Sequence, residues 1–303
     1  MFDFNGKSVL ITGASYGLGE QFAYAFADAG ADLVLTARSE DLLQNVADGC
    51  TAKGSNVIAV TGDVSIEDDV KSVVAAGIDT HGKIDILINN AGIADMRGVA
   101  PEHFDSETFN QIISVDLVGA FYYARECGRH MLENSSGSIV NIGSILGNGA
   151  SETGVIAYSA AKGGLRNMTL QLGTEWADRG VRVNSVSPGF IVTEMTRVAL
   201  EAMGIDKWIA SRTPMRRVGE SQEVTNAVMF LASDLASYIT GVDLLVDGGT
   251  NASNGTFQIP PIHHEWNVDT PMIPSPYEPV QPRPDWYQAL EAGVPGVHYP
   301  LPE

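Results

Sequence analysis

Seven short runs of Val, Ile, Leu and small residues alternate with segments of helical length along the first 250 residues. No other feature constrains the fold as much. The runs are Ser8–Ile11, Asp32–Ala37, Val57–Thr61, Ile84–Asn89, Ser138–Ile142, Val181–Ser187 and Asp243–Val246. Several are continuously apolar and β-branched, as strands covered on both faces must be. Helical candidates lie between them, near Gly17–Ala29, Asp41–Asp48, Glu67–Asp79, Phe104–Met131, Ala157–Ala177 and Gln222–Ala232. Ser65, with Asp68 three residues on, predicts a capping box for the third helix. Strand then helix, repeated six times, predicts an α/β fold. The expected form is a doubly wound Rossmann-type parallel sheet of about seven strands with helices on both faces.

The first strand–helix junction reads Thr12-Gly-Ala-Ser-Tyr-Gly-Leu-Gly19. Gly13, Gly17 and Gly19 let the backbone turn sharply and approach a pyrophosphate closely. The helix that follows offers free N–H groups and a favourable dipole to phosphates. Ser15, Tyr16 and Leu18 share the turn. The end of the second strand is where an adenosine ribose is read: an acid selects NAD, and an arginine accommodates the 2′-phosphate of NADP. Here the chain reads Leu35-Thr-Ala-Arg38, with no acid before Glu40. NADP(H) is the preferred cofactor on this reading, with NAD(H) possible. Tyr16 stands where a second basic residue would have strengthened the preference.

Tyr158 has Lys162 one helical turn on, the only one of nine tyrosines with a lysine at that spacing. Residues at i and i+4 share a helix face, and a cation there favours the phenolate over the phenol. The pair suits proton transfer at neutral pH, which a free phenol titrating near ~10 does not. Small neighbours, Ser159-Ala-Ala161 and Gly163-Gly164, leave room for a bulky group beside it.

With these motifs the chain resembles the short-chain dehydrogenase/reductase family, over about residues 5–250. The resemblance rests on the glycine turn, Asp63-Val64, Asn89-Asn-Ala-Gly92, Ser144, Tyr158-x-x-x-Lys162, Pro188-Gly189 with Thr193, and Val246-Asp-Gly-Gly249. It implies that Tyr158 is the general acid/base, that Lys162 holds the nicotinamide ribose and tunes Tyr158, and that Ser144 bonds the substrate oxygen. It also implies that Asp63 and Val64 meet the adenine. Asn90, with Ala91 and Gly92, would lie at the fourth strand end beside the cofactor. Ile191 and Thr193, after Pro188 and Gly189, would hold the carboxamide. One position departs from the pattern. The family's usual asparagine is replaced in Val115-Asp116-Leu117. In the family that residue acts largely through its main-chain carbonyl, which Asp116 can also present. Its carboxylate could in addition approach Lys162. Ser144 lies one residue farther from Tyr158 than the pattern expects, which suggests an insertion within Gly147–Ile156.

A net charge of −19 and the lack of a basic run argue against nucleic acid and membrane as partners. Cys50 and Cys127 have no metal-type spacing and fit a reducing compartment. The opening residues lack the basic and apolar regions of a signal peptide, and no segment reaches the ~18 apolar residues of a membrane span. A cytoplasmic protein is expected. Residues 251–303 hold eleven of the fourteen prolines, from Pro260 to Pro302, along with Trp266, Trp286 and Tyr287. They predict an extended C-terminal arm rather than a second folded domain, docked by its aromatics on another surface. His263-His264 does not read as a metal site, since adjacent side chains in an extended chain diverge and no third ligand is evident. The resemblance implies a homo-oligomer, commonly a tetramer.

The expected substrate is a small ketone or secondary alcohol. Phe190–Met215 is the lid candidate, with Met195, Val198, Leu200, Met203, Trp208 and Ile209 suited to an apolar body. Against this, Asn148, Ser151, Glu152 and Thr153 suit a polyol. A sugar-acid or cyclic alcohol dehydrogenase therefore leads. A 3-oxoacyl-carrier reductase ranks lower, because Leu132-Glu-Asn-Ser-Ser-Gly137 offers no base to an acidic carrier. A cofactor-sensing protein without turnover is the reading from another class, and the presence of both Tyr158 and Lys162 counts against it.

Overall fold

The structure, a computed structural model, describes residues 2–95, 99–149, 155–192 and 205–253. Strands β1 (Ser8–Thr12), β2 (Asp32–Ala37), β3 (Val57–Thr61), β4 (Ile86–Asn89), β5 (Gly137–Ile142) and β6 (Val181–Pro188) belong to one sheet. Two short strands, β7 (Ile191–Val192) and β8 (Gly219–Glu220), pair with each other, and β9 (Asp243–Val246) returns to the main sheet. The sheet is seven-stranded and all parallel, in the order β3-β2-β1-β4-β5-β6-β9. The order reverses between β1 and β4, which is where such sheets open a crevice at their carboxyl ends.

Helices α1 (Gly17–Asp28), α2 (Glu40–Ala52), α3 (Glu67–His81), α4 (Ser106–Ile113), α5 (Ala120–Glu133) and α6 (Ile156–Glu175) cover the sheet, followed by α7 (Ile205–Arg212) and α8 (Ser221–Ala232). The period of two along the strands sorts the core. Val9, Ile11, Leu33 and Leu35 pack with Phe22 and Phe26 of α1 and Val228 of α8. Leu10 and Val34 face the other way, onto Val70 and Val74 of α3 and Tyr123 and Met131 of α5. Phe22 and Phe26, one turn apart on α1, are fully buried; each such side chain contributes about 1.5–3 kcal/mol.

Two expectations are corrected. The third helix has no Ser65 capping box: its N-cap is Ile66, and the Ser65 hydroxyl donates to the Asp63 carboxylate at 2.7 Å. Asp69, inside the helix, accepts from the Asp63 amide instead, so the turn before α3 is closed from both sides. The helix expected over Phe104–Met131 begins at Ser106, where the Asp105 carboxylate caps the Thr108 amide. It is then broken by a π-helical turn, Ser114–Gly119. A π turn inserts one residue into the helical ladder and is often found at functional sites. This one faces the strand ends. Asn89 on β4 donates to the carbonyl of Ala120, the residue that restarts the α-helix. β7, β8 and α7 had no periodic pattern strong enough to be read from sequence.

Candidate active site

The two strands at the switch point are tied by side chains from both. The Thr12 hydroxyl accepts from the amides of Asn90 and Ala91, each at 3.0 Å. The Asn90 amide donates back to the carbonyls of Thr12 and Gly13. Gly13 adopts φ 64, and a methyl group there would lie 2.9 Å from the Ala91 Cα. Only glycine fits a left-handed residue pressed against another backbone.

A cavity of about 380 Å³ opens at this junction. Gly13, Ser15, Tyr16, Gly17 and Leu18 form one wall, Arg38, Asp63 and Val64 another, and Asn90, Ala91 and Gly92 the floor. Gly19 is buried inside the first turn of α1. Arg38 is 61% exposed at the side chain, and its Nη1 stands 4.0 Å from Asp63 Oδ2. A second cavity of about 320 Å³ shares Leu18, Asn90, Gly92 and Ile93 with the first, so the two form one cleft. The second half is lined by Ser144, Tyr158 and Lys162, with Pro188, Gly189 and Ile191 opposite. Thr193 lies outside the described residues, as do Ser151, Glu152, Thr153, Met195, Val198, Leu200, Met203 and the arm from 254 on.

Tyr158 and Lys162 share one face of α6, as their spacing requires. The Lys162 Nζ lies 5.5 Å from the Tyr158 ring centroid and donates to the Ile142 carbonyl at 3.0 Å. It also stands 3.2 Å from Asp116 Oδ2, both side chains being almost wholly buried. The other Asp116 oxygen accepts from the Ile93 amide at 2.8 Å. Asp116 sits in the π turn, outside the cavity wall but against the lysine that lines it. Gly92 makes the approach possible: a methyl group there would lie 2.8 Å from Asp116 Oδ2.

Burial pushes the Asp116 carboxyl above the usual carboxylate range, against the pull of Lys162 and the Ile93 amide. Burial, the largest single influence, works to lower Lys162, but the neighbouring Asp116 and Tyr158 together outweigh it, and the ammonium is held above its ordinary value. Ser144 ends in extended backbone after β5, and its hydroxyl accepts from the Leu146 amide at 3.1 Å. The Asn148 side chain is engaged within the protein: its amide donates to Asp243 at 2.6 Å.

The partners that sequence does not reveal are mostly backbone groups, the Ile142 carbonyl and the Ile93 amide. Among the described residues, no group of three or more His, Cys, Asp or Glu suits a metal ion, and no helix is long and apolar enough to cross a membrane.

The cleft fits a dinucleotide. A glycine turn with no room for a Cβ at Gly13 or Gly19, a helix N-terminus and a cationic side chain line one half, and a hydroxyl–ammonium pair lines the other. A family model described as enoyl-(acyl carrier protein) reductase matches residues 13–251. The chain is 40% identical over 248 residues to a glucose 1-dehydrogenase of Gluconobacter oxydans, covering 81% of this chain and 92% of the relative. It is also 40% identical over 248 residues to the 3-oxoacyl-[acyl-carrier-protein] reductase of Escherichia coli, covering 82% and 98%. A gluconate 5-dehydrogenase from Burkholderia cenocepacia, solved in complex with NADP and tartrate, superposes with a TM-score of 0.77. It is 32% identical, and the match covers 83% of this chain and 97% of that one.

Proposed function

The chain belongs to the short-chain dehydrogenase/reductase family and is an oxidoreductase acting on CH–OH groups; from that premise we propose that it interconverts a secondary alcohol and a ketone with NADP(H). The observation that carries this reading is the single cleft in which the Gly13–Gly19 turn and Arg38 line one half and Ser144, Tyr158 and Lys162 the other. When bound, the nicotinamide cofactor supplies or accepts the hydride.

The rest is done by side chains of this chain. In the oxidative direction the Tyr158 phenolate takes the alcohol proton; in reduction the phenol returns it to the carbonyl oxygen. Ser144 donates a hydrogen bond to that oxygen as charge develops on it. Lys162, fixed by Ile142 and Asp116, keeps a positive charge beside the phenol. Gly13, Ser15, Tyr16, Gly17, Leu18 and Gly19 would hold the pyrophosphate. Arg38 would hold the 2′-phosphate, Asp63 and Val64 the adenine. Asn90 to Gly92 and Pro188 to Thr193 would hold the nicotinamide side.

A polyol or sugar acid is the substrate class this reading favours, supported by the glucose and gluconate dehydrogenases among the similar proteins. The acyl-carrier alternative is disfavoured by the −19 net charge. A panel of sugar acids, polyols, cyclic alcohols and 3-oxoacyl thioesters, followed by NADPH and NADH absorbance, separates them. Turnover of the thioester alone would overturn the polyol reading.

Arg38→Ala should lower kcat/KM with NADP by roughly tenfold or more, the scale of a lost charge-assisted contact, and leave NAD nearly unchanged. Equal losses with both cofactors would remove Arg38 from the 2′-phosphate site.

The same reading takes the protein as a homotetramer in which residues 251–303 form an arm laid on a neighbouring subunit. Truncation after Thr250 should then lower the oligomer mass or the melting temperature. Unchanged assembly, stability and kinetics would reduce the arm to an appendage.

A further inference from the structure

We propose that Asp243 is a positioning residue that clamps the Ser144 loop to the sheet. The inference rests on the role given to Ser144 above. Asp243 opens β9, the last strand, and its side chain is only 5% exposed. One carboxylate oxygen accepts the hydroxyls of Ser185 and Ser187 on β6, at 2.5 and 2.7 Å. The other accepts the Asn148 amide at 2.6 Å, with the Arg166 Nε of α6 at 3.7 Å. Three elements, β6, the turn that ends at Asn148 and α6, therefore converge on one buried carboxylate carried by a fourth.

The contacts bracket Ser144. Asn148 lies four residues after it, at the end of the 3-10 turn Ile145–Gly147. On the other side, the Ser187 hydroxyl held by Asp243 packs against Gly143: a methyl group at Gly143 would overlap it. Gly143 is tied to β6 as well, through its amide on the Val186 carbonyl at 2.8 Å. Both shoulders of the loop are thus fixed by groups that Asp243 orients, and the Ser144 hydroxyl is carried between them.

The donor set demands a carboxylate. Ser185, Ser187 and Asn148 all present hydrogens, and an ionised carboxylate is acceptor-only on both oxygens. An asparagine at 243 would satisfy the serines with its carbonyl and turn an NH₂ group toward the NH₂ group of Asn148. Two donors would then face each other unless the Asn148 amide turned over, and in either arrangement the charge-assisted bond that anchors the loop is lost. A displacement near 1 Å at a reacting group costs on the order of 10²-fold in rate.

The test uses Asp243→Asn, Asn148→Asp, the two combined, and Ser144→Ala. Amide hydrogen exchange across residues 143–149 reads the position of the loop without any substrate. Turnover of the fastest alcohol in the panel and NADPH affinity read the site. Asp243→Asn should speed exchange in 143–149 and lower kcat by about tenfold or more while leaving NADPH affinity unchanged. In the combined variant the donor and acceptor are exchanged, so exchange and kcat should both recover. A folded Asp243→Asn enzyme with unchanged exchange and kcat would overturn the proposal, as would a combined variant that recovers neither. Full turnover in Ser144→Ala would instead remove the role of Ser144, and the exchange data would still decide whether Asp243 fixes the loop.

Discussion

Tyr158→Phe is expected to bind NADPH normally and to lose turnover by about 10²-fold or more, the scale of general acid–base contributions. The substitution removes one oxygen and keeps the ring, which packs beside Ile112, Ala157 and Ala161. Neither the helix nor the lysine loses a contact: Lys162 is held by the Ile142 carbonyl and by Asp116, not by the phenol oxygen. The loss should therefore fall on kcat with little change in stability. Cofactor affinity from NADPH fluorescence and turnover from absorbance separate the two effects. Near-native turnover in Tyr158→Phe would remove Tyr158 from proton transfer.

What made the site legible was spacing within one element. Tyr158 and Lys162 share a helix face at any place in any fold, and Gly13, Gly17 and Gly19 mark a strand–helix turn locally. The sheet was legible for a similar reason, because a parallel strand covered on both faces must be a continuous apolar run. Leu10, Ile11, Leu33, Val34 and Leu35 are all fully buried. What was not legible depends on contacts between distant segments. The Ile142 carbonyl that holds Lys162 and the Ile93 amide that holds Asp116 belong to groups every residue carries. The π turn at Ser114–Gly119 had no signal in the local pattern of residues; at its end the Ala120 carbonyl accepts from Asn89, a residue of β4. Asn148, with Ser151, Glu152 and Thr153 near the catalytic loop, read from sequence as suited to a polyol. Its partner, Asp243, is 95 residues away, and only the fold reveals that the amide is already engaged.

Asp116 should give two distinct results according to what replaces it. Asp116→Leu removes the carboxylate 3.2 Å from a buried ammonium and leaves Lys162 with the Ile142 carbonyl alone. Breaking one side of a buried pair costs about 3–5 kcal/mol, so the melting temperature should fall by roughly 10 °C. Asp116→Asn keeps the size and an acceptor for the Ile93 amide but withdraws the charge, and the folded enzyme should stay active. Its pH–rate profile should move. The alkaline limb should shift to lower pH. Asp116, with Tyr158, holds Lys162 above its ordinary value against burial, so with the Asp116 charge withdrawn the lysine in Asp116→Asn gives up its proton earlier as pH rises. An alkaline limb displaced to lower pH is the expected signature. An unmoved profile would mean that only the main-chain carbonyl at 116 matters. A folded but inactive Asp116→Asn enzyme would make the carboxylate essential to the chemistry itself.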